Sequence, residues 1–146
     1  TGEETDFRLG KGIVLREGSD VTILSSGIMV AEALKAAELL EKQQIQAEII
    51  NIHTIKPLDT RLIIESAAKT GCVVTAENGS IYNGLGSAAA ECLAEHLPRP
   101  MKRIGVQDCF GQIGHLEELL NAFHMAAEDI AAAAAELVRN KEKGGL

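Results

Sequence analysis

Four short stretches hold the residue types that could do chemistry together: Ser25-Ser26-Gly27, His53-Thr54, Glu77-Asn78 and Gln107-Asp108. Each follows a stretch that reads as a strand, which places it where a strand ends and a helix begins. In an open parallel sheet such ends share one edge, where ligands and partner domains are met. A carboxylate from Glu77 or Asp108, the His53 imidazole and hydroxyls such as Ser25 gathered there could form an acid–base site. The other reading is that these side chains cap helix N-termini and contact a neighbouring domain. It is preferred, because no nucleophile–base pair stands at a diagnostic spacing. His96, His115 and His124 fall in or beside helical stretches and are expected to face solvent.

The run Gly84-Leu85-Gly86-Ser87-Ala88-Ala89 matches G-x-G-x-x-A. In a dinucleotide-binding unit such a run seats a pyrophosphate on a helix N-terminus. Two features weigh against that use here. The segment Asn78 to Asn83 separates the glycines from the strand, where a tight turn is needed. No acidic residue closes a second strand about 20 positions later to hold a ribose. The glycines are therefore expected to give a sharp helix entry and close helix packing. A non-catalytic nucleotide-binding regulatory module stands as an alternative.

These stretches meet only if strands and helices alternate. Gly10-Lys11-Gly12 precedes the short strand Ile13-Val14-Leu15, and Glu17-Gly18-Ser19-Asp20 reads as a tight turn setting that strand antiparallel to its successor. Val21 to Leu24, Ala47 to Ile52, Cys72 to Ala76 and Met101 to Val106 are further strands. Val30, Ala33, Leu34, Ala37 and Leu40 recur with helical period, as do Leu85, Ala88, Ala89, Cys92 and Leu93. Asp59 is expected to cap the start of a helix after Pro57, and Gly71 its end. Leu116, Leu119, Leu120 and Phe123 mark another helix, and Ile130, Ala133, Ala134, Leu137 and Val138 a final one. The predicted fold class is α/β, a three-layer α/β/α sandwich around a mostly parallel sheet. Residues 1–12 are expected to be a linker or tail, 13–140 the domain, and 141–146 a disordered tail.

Composition removes several classes of function. The 146 residues fit one domain with a real core. A formal charge of −7 without any basic run argues against a nucleic-acid partner. No apolar span is long enough for a membrane helix, and no signal-peptide pattern is present. Cys72, Cys92 and Cys109 form no CxxC pair, so neither a zinc site nor a disulfide framework is supported. Buried free thiols and a cytoplasmic location are expected.

Three segments occur together, in order: Thr54-Ile55-Lys56-Pro57-Leu58-Asp59, then Glu77-Asn78 with Gly84-Leu85-Gly86-Ser87, then Asp108-Cys109-Phe110-Gly111 with Gly114 and Glu118-Leu119-Leu120. As a set they resemble the C-terminal domain of transketolase. The same domain occurs in 1-deoxyxylulose-5-phosphate synthase and in the β chain of 2-oxoacid dehydrogenase E1 components. The resemblance covers almost the whole chain and implies a five-stranded sheet with an antiparallel first strand. It also implies a dimeric, thiamine-diphosphate-dependent enzyme with Mg²⁺, whose cofactor ylide cleaves a ketose and passes a two-carbon ketol unit to an aldose, as in the pentose phosphate pathway. In that family other domains hold the cofactor, and this chain lacks the metal-binding GDG motif and the pyrimidine-binding domain with its activating glutamate. No catalytic, cofactor-binding or metal-binding residue is therefore assigned. Ser25, His53, Glu77, Asn78 and Asp108 are expected to lie on domain-interface loops. The implied partners are the cofactor-binding domains, on the same chain or a separate subunit, and a second copy in a homodimer. Asn78 stands where many members carry His, although the synthase branch also tolerates Asn there, and Asn83 replaces the first glycine of a common pair. The TIKPLD run and the FGQ-x-G segment favour transketolase, in a version split between two chains.

Overall fold

The structure, a computed structural model, describes residues 10–80, 84–106 and 125–143. In chain order the described elements are β1 (Ile13–Arg16), β2 (Val21–Ser25), α1 (Met29–Glu41), β3 (Ala47–Asn51), α2 (Thr60–Thr70), β4 (Val73–Ser80), α3 (Leu85–His96), β5 (Met101–Val106) and α4 (Ala127–Glu142). The five strands form one sheet in the order β1-β3-β2-β4-β5. β1 runs antiparallel to β3, and every other neighbouring pair is parallel.

The first strand is antiparallel, as expected, but it pairs with β3 and not with its successor β2. The turn between them explains this. Gly18 lies on the β3 backbone so closely that a Cβ there would fall 2.3 Å from the Ala47 carbonyl carbon. The Gly18 N–H donates to Glu48 Oε1 at 3.3 Å, and Asp20 Oδ2 accepts from the Gln46 N–H at 2.7 Å. The turn is thus fastened to the start of β3, and it sends β1 along that strand's outer side.

Two apolar layers follow from the period-two alternation of the strands. Val21, Ile23, Ala47, Ile49, Val74 and Ala76 point to one face, where they pack with α1 and α4. Leu24, Ile50, Ile52 and Val73 point to the other, with Ile63 and Ala67 of α2 and Leu85, Ala89, Cys92 and Leu93 of α3. The three-layer α/β/α sandwich is therefore present. The stripe on α1 is displaced from its expected position. Met29, Ala33, Ala36, Ala37 and Leu40 are buried, whereas Leu34 is 37% exposed. α1 must touch both the sheet and α4, and small Ala36 allows that approach where Leu34 would hold the two apart.

Both ends of the expected domain also move. Lys141, expected to begin a disordered tail, belongs to α4, and its ammonium donates to the Asp20 and Thr70 carbonyls at 2.8 and 2.7 Å. At the other end the Gly12 N–H donates to Asp59 Oδ2 at 2.9 Å, so this glycine is fastened to the domain and is not loose linker. β4 continues to Ser80, beyond the expected end at Ala76, because Ser80 still pairs with Val106 of β5 after an irregularity in the ladder. The helix expected around Leu116 to Phe123 lies outside the described residues.

Candidate functional site

The parallel strands β3, β2 and β4 end side by side, with Ser25 opposite Asn51 on one side and Ala76 on the other. Ser25, His53, Glu77 and Asn78 are thus brought to one sheet edge, as their positions after strand-like stretches implied. Asp108 lies outside the described residues. Sharing an edge does not make these residues a catalytic set, because Glu77 and Ser25 are committed to partners within the chain.

Glu77 has the most consequential one. Its side chain turns under the start of α3, where Oε1 accepts the Leu85 N–H at 2.7 Å and Oε2 accepts the Gly86 N–H at 2.6 Å. The residue is only 4% exposed. The first amides of a helix lack intrahelical acceptors and carry partial positive charge, so an anion there is favoured. The helix's own N-cap position, Gly84, supplies no side chain. Glu77 acts in its place from the preceding strand. The G-x-G-x-x-A run therefore presents no open phosphate cradle: a carboxylate of the same chain fills the position a pyrophosphate would take. Gly86 serves close packing, as expected. A Cβ there would lie 2.9 Å from Arg103 Cδ and 3.1 Å from Thr75 Oγ1.

The other described helix starts at this edge are closed in similar ways. Asp59 Oδ1 accepts the Leu62 N–H at 3.2 Å and caps α2, as expected. For α4, Asp129 Oδ2 accepts the Ala126 N–H at 3.0 Å and Glu32 Oε1 of α1 accepts the Ala127 N–H at 3.0 Å. At α1 no side chain caps, but the Met29 and Val30 N–H groups are satisfied by the Ser26 and Gly27 carbonyls at 3.1 and 3.3 Å. Gly27 holds the left-handed angle that this turn requires, φ +59°.

The topology supplies the usual ligand crevice between β2 and β4, whose following helices α1 and α3 leave to opposite faces. That crevice is narrow. The Ser26 N–H donates to the Ala76 carbonyl at 3.2 Å. The Asn78 amide lies over Gly27, with its Oδ1 3.1 Å from where a Cβ would be. The Ser25 hydroxyl is buried and donates to the Ile50 carbonyl at 3.2 Å, so it is held away from any nucleophilic role. His53 is exposed past the end of β3. Among the described residues, no group of three His, Cys, Asp or Glu side chains is placed to hold a metal ion. Cys72 and Cys92 are buried free thiols, as expected. Burial pushes both thiols up; Lys141 partly opposes this at Cys72, and Glu95 adds to it at Cys92.

A buried polar network away from this edge was not foreseen. Glu48 of β3 is 3% exposed. It accepts from the Ser66 hydroxyl at 2.7 Å, from Gly18 and from the Lys69 ammonium. The Thr22 hydroxyl joins Ser66 at 2.6 Å and Thr70 at 2.7 Å. Burial pushes the Glu48 carboxyl up, but the bonds from Lys69, Ser66 and Gly18 together outweigh it and hold the group below its ordinary value. The available signal was a glutamate inside the apolar strand Ala47-Glu48-Ile49-Ile50, matched by Ser66, Lys69 and Thr70 on the following helix.

Comparison with known proteins agrees with this architecture. A family profile described as "Transketolase, C-terminal domain" matches residues 10–130. The 6-deoxy-6-sulfo-D-fructose transketolase subunit SqwH of Clostridium sp. (strain MSTE9) is 55% identical over 139 residues, covering 95% of this chain and 43% of that protein. A 1-deoxy-D-xylulose-5-phosphate synthase of Heliobacterium modesticaldum (strain ATCC 51547 / Ice1) is 41% identical over 136 residues, covering 92% of this chain and 21% of that protein. Among solved structures, a split-gene transketolase in an inactive β4 tetramer superposes with a TM-score of 0.87 at 45% identity, covering 91% of this chain and 44% of that one. The chain thus spans less than half the length of each of these proteins.

Proposed function

Since the chain belongs to the family of transketolase C-terminal domains, we propose that it is the C-terminal domain or subunit of a thiamine-diphosphate-dependent transketolase. In this reading it supports the assembly and the domain contacts near the active site, and it performs no catalysis alone. The observation that carries the reading is the state of the loop edge: Glu77, Asp59, Asp129 and Glu32 satisfy the helix N-termini of their own chain. Among the described residues such an edge offers a surface to another domain, and its helix starts offer no open phosphate cradle to a substrate. Ile28 contributes a 46% exposed apolar side chain to that surface, beside the Ser26-Gly27 turn.

The described residues do not fit thiamine diphosphate with Mg²⁺. A diphosphate needs unfilled N–H groups or cations, and its metal needs carboxylate or amide oxygens arranged about one point. Among the described residues the helix N-termini carry acidic side chains or are closed by backbone carbonyls, and no trio of His, Cys, Asp or Glu is gathered. The cofactor is accordingly assigned to domains supplied by the rest of the polypeptide or by a separate subunit, the arrangement of a split enzyme.

Assembly with the chain or domain that carries the cofactor site tests this reading. Ketol transfer should appear on mixing and be absent from either part alone. Absence of transfer with two well-folded partners would overturn it. The 55% identity to a sulfofructose transketolase subunit makes ketoses ending in a phosphate or a sulfonate the donors to compare. The 41% identity to a 1-deoxy-D-xylulose-5-phosphate synthase favours a second reading, in which the complete enzyme forms 1-deoxy-D-xylulose 5-phosphate. Calorimetry on this chain with thiamine diphosphate and Mg²⁺ should give no binding heat, and tight binding would refute the assignment of the cofactor to other domains.

A further inference from the structure

The segment entering the domain is fitted to one turn with more care than a linker requires. Because β1 is antiparallel, with Ile13 opposite Asn51, the chain enters at the same edge where β3 ends. Gly10, Lys11 and Gly12 cross that edge ahead of β1. A Cβ on Gly12 would lie 2.8 Å from Ile52 Cδ1 and 3.0 Å from Leu62 Cδ2, so the backbone rests directly on the end of β3 and the first turn of α2. Gly10 holds φ at +81° and would place a Cβ 3.0 Å from Pro57 Cγ. Glycines in a flexible linker confer freedom. Here they allow contact and a left-handed angle.

Asp59 joins the two sides. One oxygen caps α2 through the Leu62 N–H at 3.2 Å, and the other accepts the Gly12 N–H at 2.9 Å across 47 positions of sequence. Capping needs only one oxygen. The second is free to act on the entering segment, and with 8% exposure the carboxylate does so out of bulk water. We propose that Asp59, with the Pro57–Leu62 turn, is a latch on Gly10–Gly12, and that this latch fixes the direction in which the chain leaves toward the preceding domain. The orientation half of the proposal rests on the function proposed above. In the complete enzyme Asp59 is thus a positioning residue: it holds this domain at one angle to its neighbour without touching substrate or cofactor.

The test separates the latch from its consequence. An Asn at this position has one acceptor oxygen and can serve only one of the two amides. In the Asp59→Asn chain, hydrogen exchange should speed up by about tenfold or more at one of Gly12 and Leu62 and stay near wild type at the other. Asp59→Ala should release both. Gly10→Ala should release Gly12 alone, because it disturbs the entering segment and leaves the cap intact. Unchanged Gly12 exchange in Asp59→Ala would overturn the latch.

The consequence is read on the full polypeptide. One spin label is placed at Glu38→Cys on exposed α1 and one on the preceding domain, in a Cys109→Ser background. The distance distribution should broaden in Asp59→Ala and Gly10→Ala. Accelerated Gly12 exchange with an unchanged distribution would overturn the role in orientation. Neither readout depends on turnover, so a failure of the proposed ketol transfer leaves both interpretable.

Discussion

Replacing Glu77 tests the central claim about the loop edge, that a carboxylate of the chain itself fills an anion site. Its two oxygens accept the Leu85 and Gly86 amides at 2.7 and 2.6 Å, and the side chain is buried. Glu77→Gln keeps the shape and one acceptor oxygen, but turns an NH₂ group toward the other amide. One charge-assisted bond is lost, worth about 1.5–3 kcal/mol, and one buried N–H is left without a partner. The favourable charge at the helix end, about 0.3–1 kcal/mol, is lost as well. Some relaxation of α3 offsets part of the sum, so the net destabilisation should be about 2–4 kcal/mol. For a domain of this size that lowers Tm by roughly 5–15 °C. Urea titration followed by far-ultraviolet circular dichroism should show the same loss as a lower midpoint with an unchanged slope.

Glu77→Ala goes further by emptying the position. If the helix start is an anion site, the emptied position should take a small anion. Acetate or phosphate should then raise the Tm of Glu77→Ala in a saturable way and leave the wild type unaffected, since only a ligand of the folded state stabilises it. Two results would refute the reasoning. Glu77→Gln melting within about 1 °C of wild type would mean that the two amides do not depend on the carboxylate. Protection of the Leu85 and Gly86 amides of the wild-type chain by a dinucleotide would mean that the glycine run is a phosphate site after all.

Much of the fold was legible because it rests on local patterns. Short runs rich in β-branched and aliphatic residues mark the central strands, and Asp59 and Gly71 mark the ends of α2 as expected. The five residues expected on the inner face of α4 are all buried, joined there by Ala127, Ala131 and Ala135. The misreadings share a cause: each depended on what lies across space. The pairing of β1 is decided by Gly18 resting on β3. The face of α1 is decided by its contact with α4, and the length of β4 by Val106 opposite Ser80. At the site, the sequence gathered Ser25, His53, Glu77 and Asn78 correctly on one edge. Side-chain direction was the missing information. No spacing rule says that Glu77 reaches eight positions forward to cap a helix, or that Glu32 caps one 95 positions away. The resemblance to a family proposed these loops as an interface, and the hydrogen bonds show that Glu77 and Ser25 are committed to partners within the chain.

The remaining expectations concern packing, docking and pH. Gly86→Val should cost about 1–3 kcal/mol, because a branched side chain cannot fit between α3, Thr75 and the Arg103 stem; unchanged thermal melting would mean α3 can lift from the sheet cheaply. Gly18→Ala should be the more damaging change, at about 3 kcal/mol or more, since its Cβ would meet backbone atoms of Ala47 and Glu48 that cannot swing aside; calorimetric melting of both variants gives the ranking. Ile28→Asp should leave the stability of this chain within about 0.5 kcal/mol of wild type and weaken its association with the cofactor-binding partner, and equal affinity by ultracentrifugation would remove Ile28 from that surface. Glu48 provides the pH test. Burial raises its pKa, but Lys69, Ser66 and Gly18 lower it more, so the folded value lies below the ordinary 4.5. A carboxyl whose pKa is depressed in the folded state stabilises the fold above its unfolded pKa, and that contribution disappears as pH falls through the folded one. The stability gap between wild type and Glu48→Gln, taken from urea midpoints, should therefore be constant from pH 7 to about 5.5 and shrink as the pH is lowered below about 4.5. A gap that widened on acidification would mean the buried carboxyl is held protonated, with burial outweighing the Lys69 ammonium and the hydrogen bonds that surround it.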